Sequence, residues 1–181
     1  MIITLAGNVT HRAEHYAVVE AAGVGYQVFM SKNALAALKP GADVRFWTHE
    51  HLREDARELY GFQTQAEHRL FLKLVAISGI GPKMALNILA LGSVKDIETT
   101  IDRADVDWLT RVPGIGKKTA QKIVLELKGK LAIGEGGDEE VVNALVNLGY
   151  GRDQARDALA AAPSEKSVED RLRAALRVLG K

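Results

Sequence analysis

LVAISGIGPKMALNIL (residues 74–89) and LTRVPGIGKKTAQKIV (residues 109–124) repeat one pattern at an offset of 35 residues. The copies match at Leu74/Leu109, Gly79/Gly114, Ile80/Ile115, Gly81/Gly116, Lys83/Lys118, Ala85/Ala120 and Ile88/Ile123. In each, an apolar helical stretch runs into Gly-Ile-Gly, then a basic residue, then an amphipathic helix, which is the helix-hairpin-helix signature. The chemistry asks for those residue types. Two glycines permit positive φ and leave no Cβ in the way, so successive backbone N–H groups at the start of the second helix are expected to point at one phosphate oxygen. The isoleucine between them is expected to pack into the helix pair, and Lys83, Lys117 and Lys118 to add charge to the same phosphate. Such contacts carry no base information, so the expected binding selects structure rather than sequence. One Gly-Ile-Gly turn alone fits an ordinary αα-hairpin equally well; two copies with a lysine in register favour phosphate binding. GIGKKT is not a nucleotide-hydrolysing loop, because GxxxxGK[ST] through Gly116 and Lys117 needs glycine at Arg111 and Ser or Thr at Lys118.

Charge narrows the footprint. The 181 residues carry 24 Lys plus Arg against 23 Asp plus Glu, so no global basic excess announces nucleic acid. By segment, residues 1–62 are net −1, residues 63–133 net +4 and residues 134–181 net −2. Any electrostatic DNA site therefore belongs to the repeat. Hydrophobic residues at 47% and charged residues at 26% exclude a mainly disordered or collagen-like chain. With no cysteine, disulfides, zinc ribbons, iron–sulfur clusters and thiol nucleophiles are removed together. Polar residues interrupt the opening stretch, and no run reaches the roughly 18 apolar residues of a membrane span. The expectation is a cytoplasmic chain with no membrane contact, metal or cofactor.

Working toward the N-terminus, residues 2–9, 16–21, 24–30, 43–50 and 57–62 are rich in β-branched and aromatic residues and read as strands. A short helix over residues 33–38, with Ser31 as N-cap, follows the third. Five short strands with one helix after the third is the order of an OB-fold β-barrel. Toward the C-terminus, GEGGDEE (residues 134–140) reads as a flexible linker, and residues 141–181 as a small three-helix domain. The expected architecture is multidomain α+β: an OB-fold over residues 1–62, a tandem helix-hairpin-helix domain over 63–133, the linker, and the tail.

With these parts in this order, the chain resembles the RuvA family, the DNA-binding subunits of the bacterial Holliday-junction branch-migration machine. GVGY (residues 23–26), THEHLREDARELYGF (48–62), GIGPKMAL (79–86) and VPGIGKKTA (112–120) carry the resemblance, which covers essentially the full length. It implies a non-enzymatic subunit that binds four-way junction DNA as a homotetramer, sometimes paired face to face into an octamer, in recombination, repair and the SOS response. It also implies recruitment of the RuvB ATPase as the motor. In that picture Gly79, Ile80, Gly81, Lys83, Gly114, Ile115, Gly116, Lys117 and Lys118 hold phosphates, and Glu54 and Asp55 form an acidic pin near the junction centre. The tail would contact the ATPase through Leu145, Leu148, Tyr150, Leu159 and Leu172.

Other readings compete on residue grounds. Glu54 and Asp55 alone are a solvated turn; His49 and His51 share a strand face, but a metal site would need further ligands. Trp47, Tyr60 and Trp108 could stack on bases, although core packing explains them better. A DNA glycosylase or lyase also uses PGIG hairpins, with Asp138 the nearest candidate acid. A duplex-binding accessory module without junction preference is the remaining rival.

Overall fold

Alternation builds the barrel. In β1 (Thr4–Arg12), β2 (Tyr16–Ala21) and β3 (Val24–Phe29), the side chains of Leu5, Val9, Ala17, Val19 and Val28 turn inward and are buried, as a period of two requires. β4 (Asp43–Leu52) and β5 (Arg57–Phe62) add Phe46 and Leu59 to the same core. The computed structural model describes residues 1–129, 131, 138–162 and 168–180. Its strands close in the order β1-β2-β3-β5-β4, antiparallel except where β3 meets β5 through Val28↔Leu59 and Phe29↔Tyr60. Gly61 permits that closure, because a Cβ there would collide with the Val28 side chain. Ala22 and Gly23, both at positive φ, form the tight turn between β2 and β3. Helix α1 (Lys32–Ala37) follows β3 with Ser31 as its cap, accepting from Ala34 N–H at 3.3 Å. It starts one residue earlier than the sequence pattern suggests, and stops because Leu38 is extended. This is the five-stranded OB-like barrel.

Two residues after β5, a Thr64–Glu67 capping box starts α2 (Gln65–Val75). α3 (Pro82–Leu89), α4 (Val94–Asp102), α5 (Val106–Leu109) and α6 (Lys117–Leu127) follow. Barrel and helices share one core: the Phe71 ring of α2 lies 4.7 Å from Phe62 and 5.5 Å from Tyr60, centroid to centroid, and all three are buried. Asn33 of α1 also donates to the Ala90 carbonyl at 2.9 Å. Met1–Leu131 is consequently one compact unit, where sequence patterning suggests a boundary after residue 62.

Ala132–Lys181 is a second unit. Its helices α7 (Asp138–Asn147), α8 (Arg152–Ala161) and α9 (Val168–Leu179) bury Val141, Leu145, Ala155, Leu159 and Ala175. The start of α7 corrects the linker's end: residues 138–140 are helical, in keeping with the preference for acidic residues in a first helical turn. The remainder of the linker, residues 134–137, lies outside the described residues.

Histidines line the joint between barrel and helices. His68 of α2 stacks on Trp47 of β4 at 6.3 Å and 15°, and His49 lies 5.5 Å from Phe71. Burial lowers the pKa of both below the ordinary 6.5, helped by His51 beside His49 and by His49 beside His68. A lowered imidazole pKa means the unfolded chain binds the proton more readily than the folded one, so stability falls as pH drops below the unfolded value. Thermal melts between about pH 7.5 and about pH 5.5 should show this loss. His68→Phe, which keeps a ring on Trp47 but takes no proton, should lose less melting temperature over the same range than the parent.

Candidate nucleic-acid interface

Helices α2 and α3 flank the first Gly-Ile-Gly turn, α5 and α6 the second. Gly79 and Gly114 adopt φ of +93° and +87°, a region L-residues avoid. Gly81 and Gly116 depart from the expectation that both glycines of a pair use positive φ: theirs are −86° and −85°, the extended backbone of an N-cap. What they contribute is the missing side chain. Neither makes a side-chain cap, and a Cβ on either would meet nothing within 4 Å. The first-turn amides of α3 and α6 are thus left without a capping side chain, at the positive ends of two helix dipoles. Ile80 and Ile115 are 5% and 4% exposed, and their N–H groups close the turns on Ile77 and Val112 carbonyls at 2.9 and 3.0 Å. Lys83, Lys117 and Lys118 are exposed beside these helix ends.

Tertiary contacts bind the hairpins to each other. Lys122 of α6 donates from Nζ to the Ser78 carbonyl in the first turn at 2.7 Å. The Met84 side chain reaches across to the second turn, its Cε 3.6 Å from where a Cβ on Gly114 would stand. Sequence reasoning missed Lys122; the available signal was its position four residues after Lys118, one helical turn along the same face.

Glu54 and Asp55 are exposed in the four-residue tip between β4 and β5, closed by Arg53 N–H donating to the Ala56 carbonyl at 2.8 Å. Beneath them lies a second network that the pattern did not reveal. Glu58 Oε2 accepts from Tyr60 OH at 2.7 Å and from Arg53 Nη2 at 2.6 Å. The Tyr60 hydrogen bond, Arg53 and Lys83 hold the Glu58 carboxyl below its ordinary range despite partial burial, while burial and Glu58 push the Tyr60 phenol up. The Glu50 carboxyl is likewise held low by its hydrogen bond from Arg57.

Several candidates have other duties. The rings of His49 and His51 are 6.4 Å apart, with His49 turned onto Phe71, and no group of three or more potential metal ligands occurs among the described residues. Tyr60 is buried, and Trp47 and Trp108 pack against the helical core. In the tail, Leu145 and Leu159 are 0% and 8% exposed, which corrects their placement at a partner surface: they form the three-helix core. Leu148 is 60% exposed, and Tyr150 and Leu172 are half-buried at the core's margin. Asp138 is the first residue of α7. No helix among the described residues is long and apolar enough to cross a membrane.

A closed five-stranded barrel continuous with a tandem helix-hairpin-helix module, followed by a three-helix unit, defines the class. Residues 1–61 match the RuvA N terminal domain, residues 71–130 the SAM-like helix-hairpin-helix tandem, and residues 138–180 the RuvA C-terminal domain. Curated relatives described as Holliday junction branch migration complex subunit RuvA include that of Chloroflexus aggregans, 40% identical over 193 residues and 99% of each chain. That of Mycolicibacterium smegmatis is 41% identical over 194 residues and all of both chains. The chain belongs to the RuvA family.

The two glycines of a turn should respond differently to substitution. Gly114→Val forces a β-branched residue to positive φ and should cost about 1–3 kcal/mol in urea denaturation. Gly116→Ala, at ordinary φ with open space around it, should cost about 1 kcal/mol or less.

Proposed function

We propose that this chain binds four-way junction DNA without regard to sequence, as a homotetramer, and serves as the DNA-binding subunit of a branch-migration complex whose ATPase is RuvB. The observation that carries the reading is the pair of uncapped, lysine-flanked helix N-termini, tied together by Lys122 and Ser78 and built into the same unit as an exposed acidic tip. Gly79, Ile80, Gly81 and Lys83 take one phosphate; Gly114, Ile115, Gly116, Lys117 and Lys118 take another. Glu54 and Asp55 act by repulsion. A carboxylate close to a phosphate costs about 1 kcal/mol in water and more where water is displaced. That cost falls on an uninterrupted duplex seated across the tip, whereas an open junction places its unpaired centre there. Four-fold assembly matches the symmetry of the junction, and pairing two tetramers face to face gives the octamer. The names of the relatives support the junction and the complex.

A gel shift comparing a four-way junction with linear duplex of equal length tests the reading. The junction should bind more tightly, every strand should stay intact, and each phosphate neutralised should contribute a log–log salt slope of about −0.9. Lys83→Ala and Lys118→Ala should weaken junction and duplex alike and each reduce the salt slope by about one unit. Parent-like binding by both variants would remove the phosphate assignment, and strand cleavage would favour the glycosylase or lyase reading.

The tail is assigned to the ATPase. Leu148, with Tyr150 and Leu172 at the margin of the bundle, supplies apolar surface suited to a helix or hairpin of the partner. Truncation after Leu131 removes the second unit whole and should leave tetramer formation and junction affinity close to normal while abolishing stimulation of branch migration. Sizing, gel shift and a strand-exchange assay with the ATPase measure the three quantities; loss of junction binding would contradict this division of labour.

A further inference from the structure

The acidic tip hangs on very little backbone. It leaves the barrel after the last β4–β5 pair, Leu52↔Arg57, and its one internal backbone bond is Arg53 N–H to the Ala56 carbonyl. Four residues joined by one such bond sample many conformations unless side chains restrict them. The restriction comes from below. Glu58, opposite His51 in the ladder, uses one carboxylate oxygen to accept both from the Tyr60 hydroxyl and from the Arg53 guanidinium. Tyr60 is fully buried, so Glu58 is anchored to the barrel core, and Arg53 is anchored through Glu58. Arg53 and Tyr60 also line a cleft with Gly81 and Lys83 at the start of α3, which brings the base of the tip beside the first hairpin.

We infer that Glu58 is a positioning residue for junction selectivity: through Arg53 it holds the loop bearing Glu54 and Asp55 in the place where those carboxylates meet an incoming duplex. A loosely held pair could swing aside and let duplex seat. Glu58 itself touches no DNA in this scheme. Its charge has a separate and smaller effect, offsetting Arg53 beside Lys83 and so lowering affinity for every DNA form equally. The inference rests on the repulsive role proposed for the acidic tip, and the two are separable by measurement.

Three variants decide it. Glu58→Gln keeps an oxygen that accepts from Tyr60 and Arg53 but removes the charge; Glu58→Leu removes both; Tyr60→Phe keeps the buried ring and removes the anchoring hydroxyl. Amide hydrogen exchange at Arg53, measured without DNA, should accelerate about tenfold in Glu58→Leu, less in Tyr60→Phe, and little in Glu58→Gln. The junction-to-duplex affinity ratio should fall about fivefold in Glu58→Leu and stay near the parent's in Glu58→Gln, even as the latter binds both DNAs more tightly. In a Glu54→Gln/Asp55→Gln background, Glu58→Leu should change the ratio no further. Unchanged Arg53 exchange in Glu58→Leu overturns the inference, as does a ratio lost equally in Glu58→Gln and Glu58→Leu, which would make Glu58 one more repulsive charge. If Glu54→Gln/Asp55→Gln leaves the ratio of the parent untouched, the tip's repulsive role fails, and the inference for selectivity falls with it even where the exchange data show an ordered tip.

Discussion

Burial of Phe71 between the barrel and the hairpins is the constraint on which the rest depends. Its ring touches Tyr60 and Phe62 on one side, and its helix carries the first phosphate turn on the other. Truncating a buried phenylalanine typically costs about 3–5 kcal/mol, a large share of the about 5–15 kcal/mol by which a domain is stable. The geometric consequence outweighs the energetic one. The acidic tip belongs to β4 and β5, the phosphate turns to α3 and α6, and only a continuous core keeps opposite charges on two supersecondary motifs at a set spacing. A flexible joint would let the carboxylates drift away from the phosphates they are meant to meet, and affinity would survive while discrimination vanished.

Weak forces suffice for that discrimination because selectivity is a difference between two affinities. The helix termini and their lysines attract any backbone phosphate, so they strengthen binding to duplex and junction together. Repulsion at the tip is smaller, yet it acts on one DNA form more than the other. A contribution of about 1.4 kcal/mol that enters only one side of the comparison shifts the ratio tenfold, whereas a larger attraction entering both sides shifts it not at all.

What was legible in the sequence was what is local. Gly-Ile-Gly followed by lysine states its own backbone requirement within a few residues, and strand alternation placed β2 and β5 on their observed residues. Lys122 and Glu58 were not legible, because their roles depend on partners brought near by folding: Ser78 lies 44 residues from Lys122, and Lys83 reaches Glu58 only after α2 docks on β5. In the tail, periodicity identified the apolar residues but not their sides. Leu145 and Leu148 share a helical spacing, yet α7 ends at Asn147, and Gly149 at φ +97° turns the chain away, with Tyr150 N–H returning to the Leu145 carbonyl at 3.1 Å. Leu148 falls in that turn and stays exposed, because a helical period has no meaning beyond the residue where the helix stops.

The duplication that made the hairpins readable also left them unequal. Where α6 begins with Lys117, α3 begins with Pro82, which has no N–H to offer and no charge. The second turn therefore presents one more amide and one more ammonium to a phosphate than the first. Proline in turn fixes φ for the first helical residue and lowers the entropy cost of forming α3, a helix of only 8 residues against 11 in α6. The first hairpin, next to the acidic tip, is the shorter and more constrained site; the second is the stronger anion site. Attraction is thus weighted away from the tip, so that a duplex held by the second hairpin still has to approach Glu54 and Asp55 with less compensation from the first.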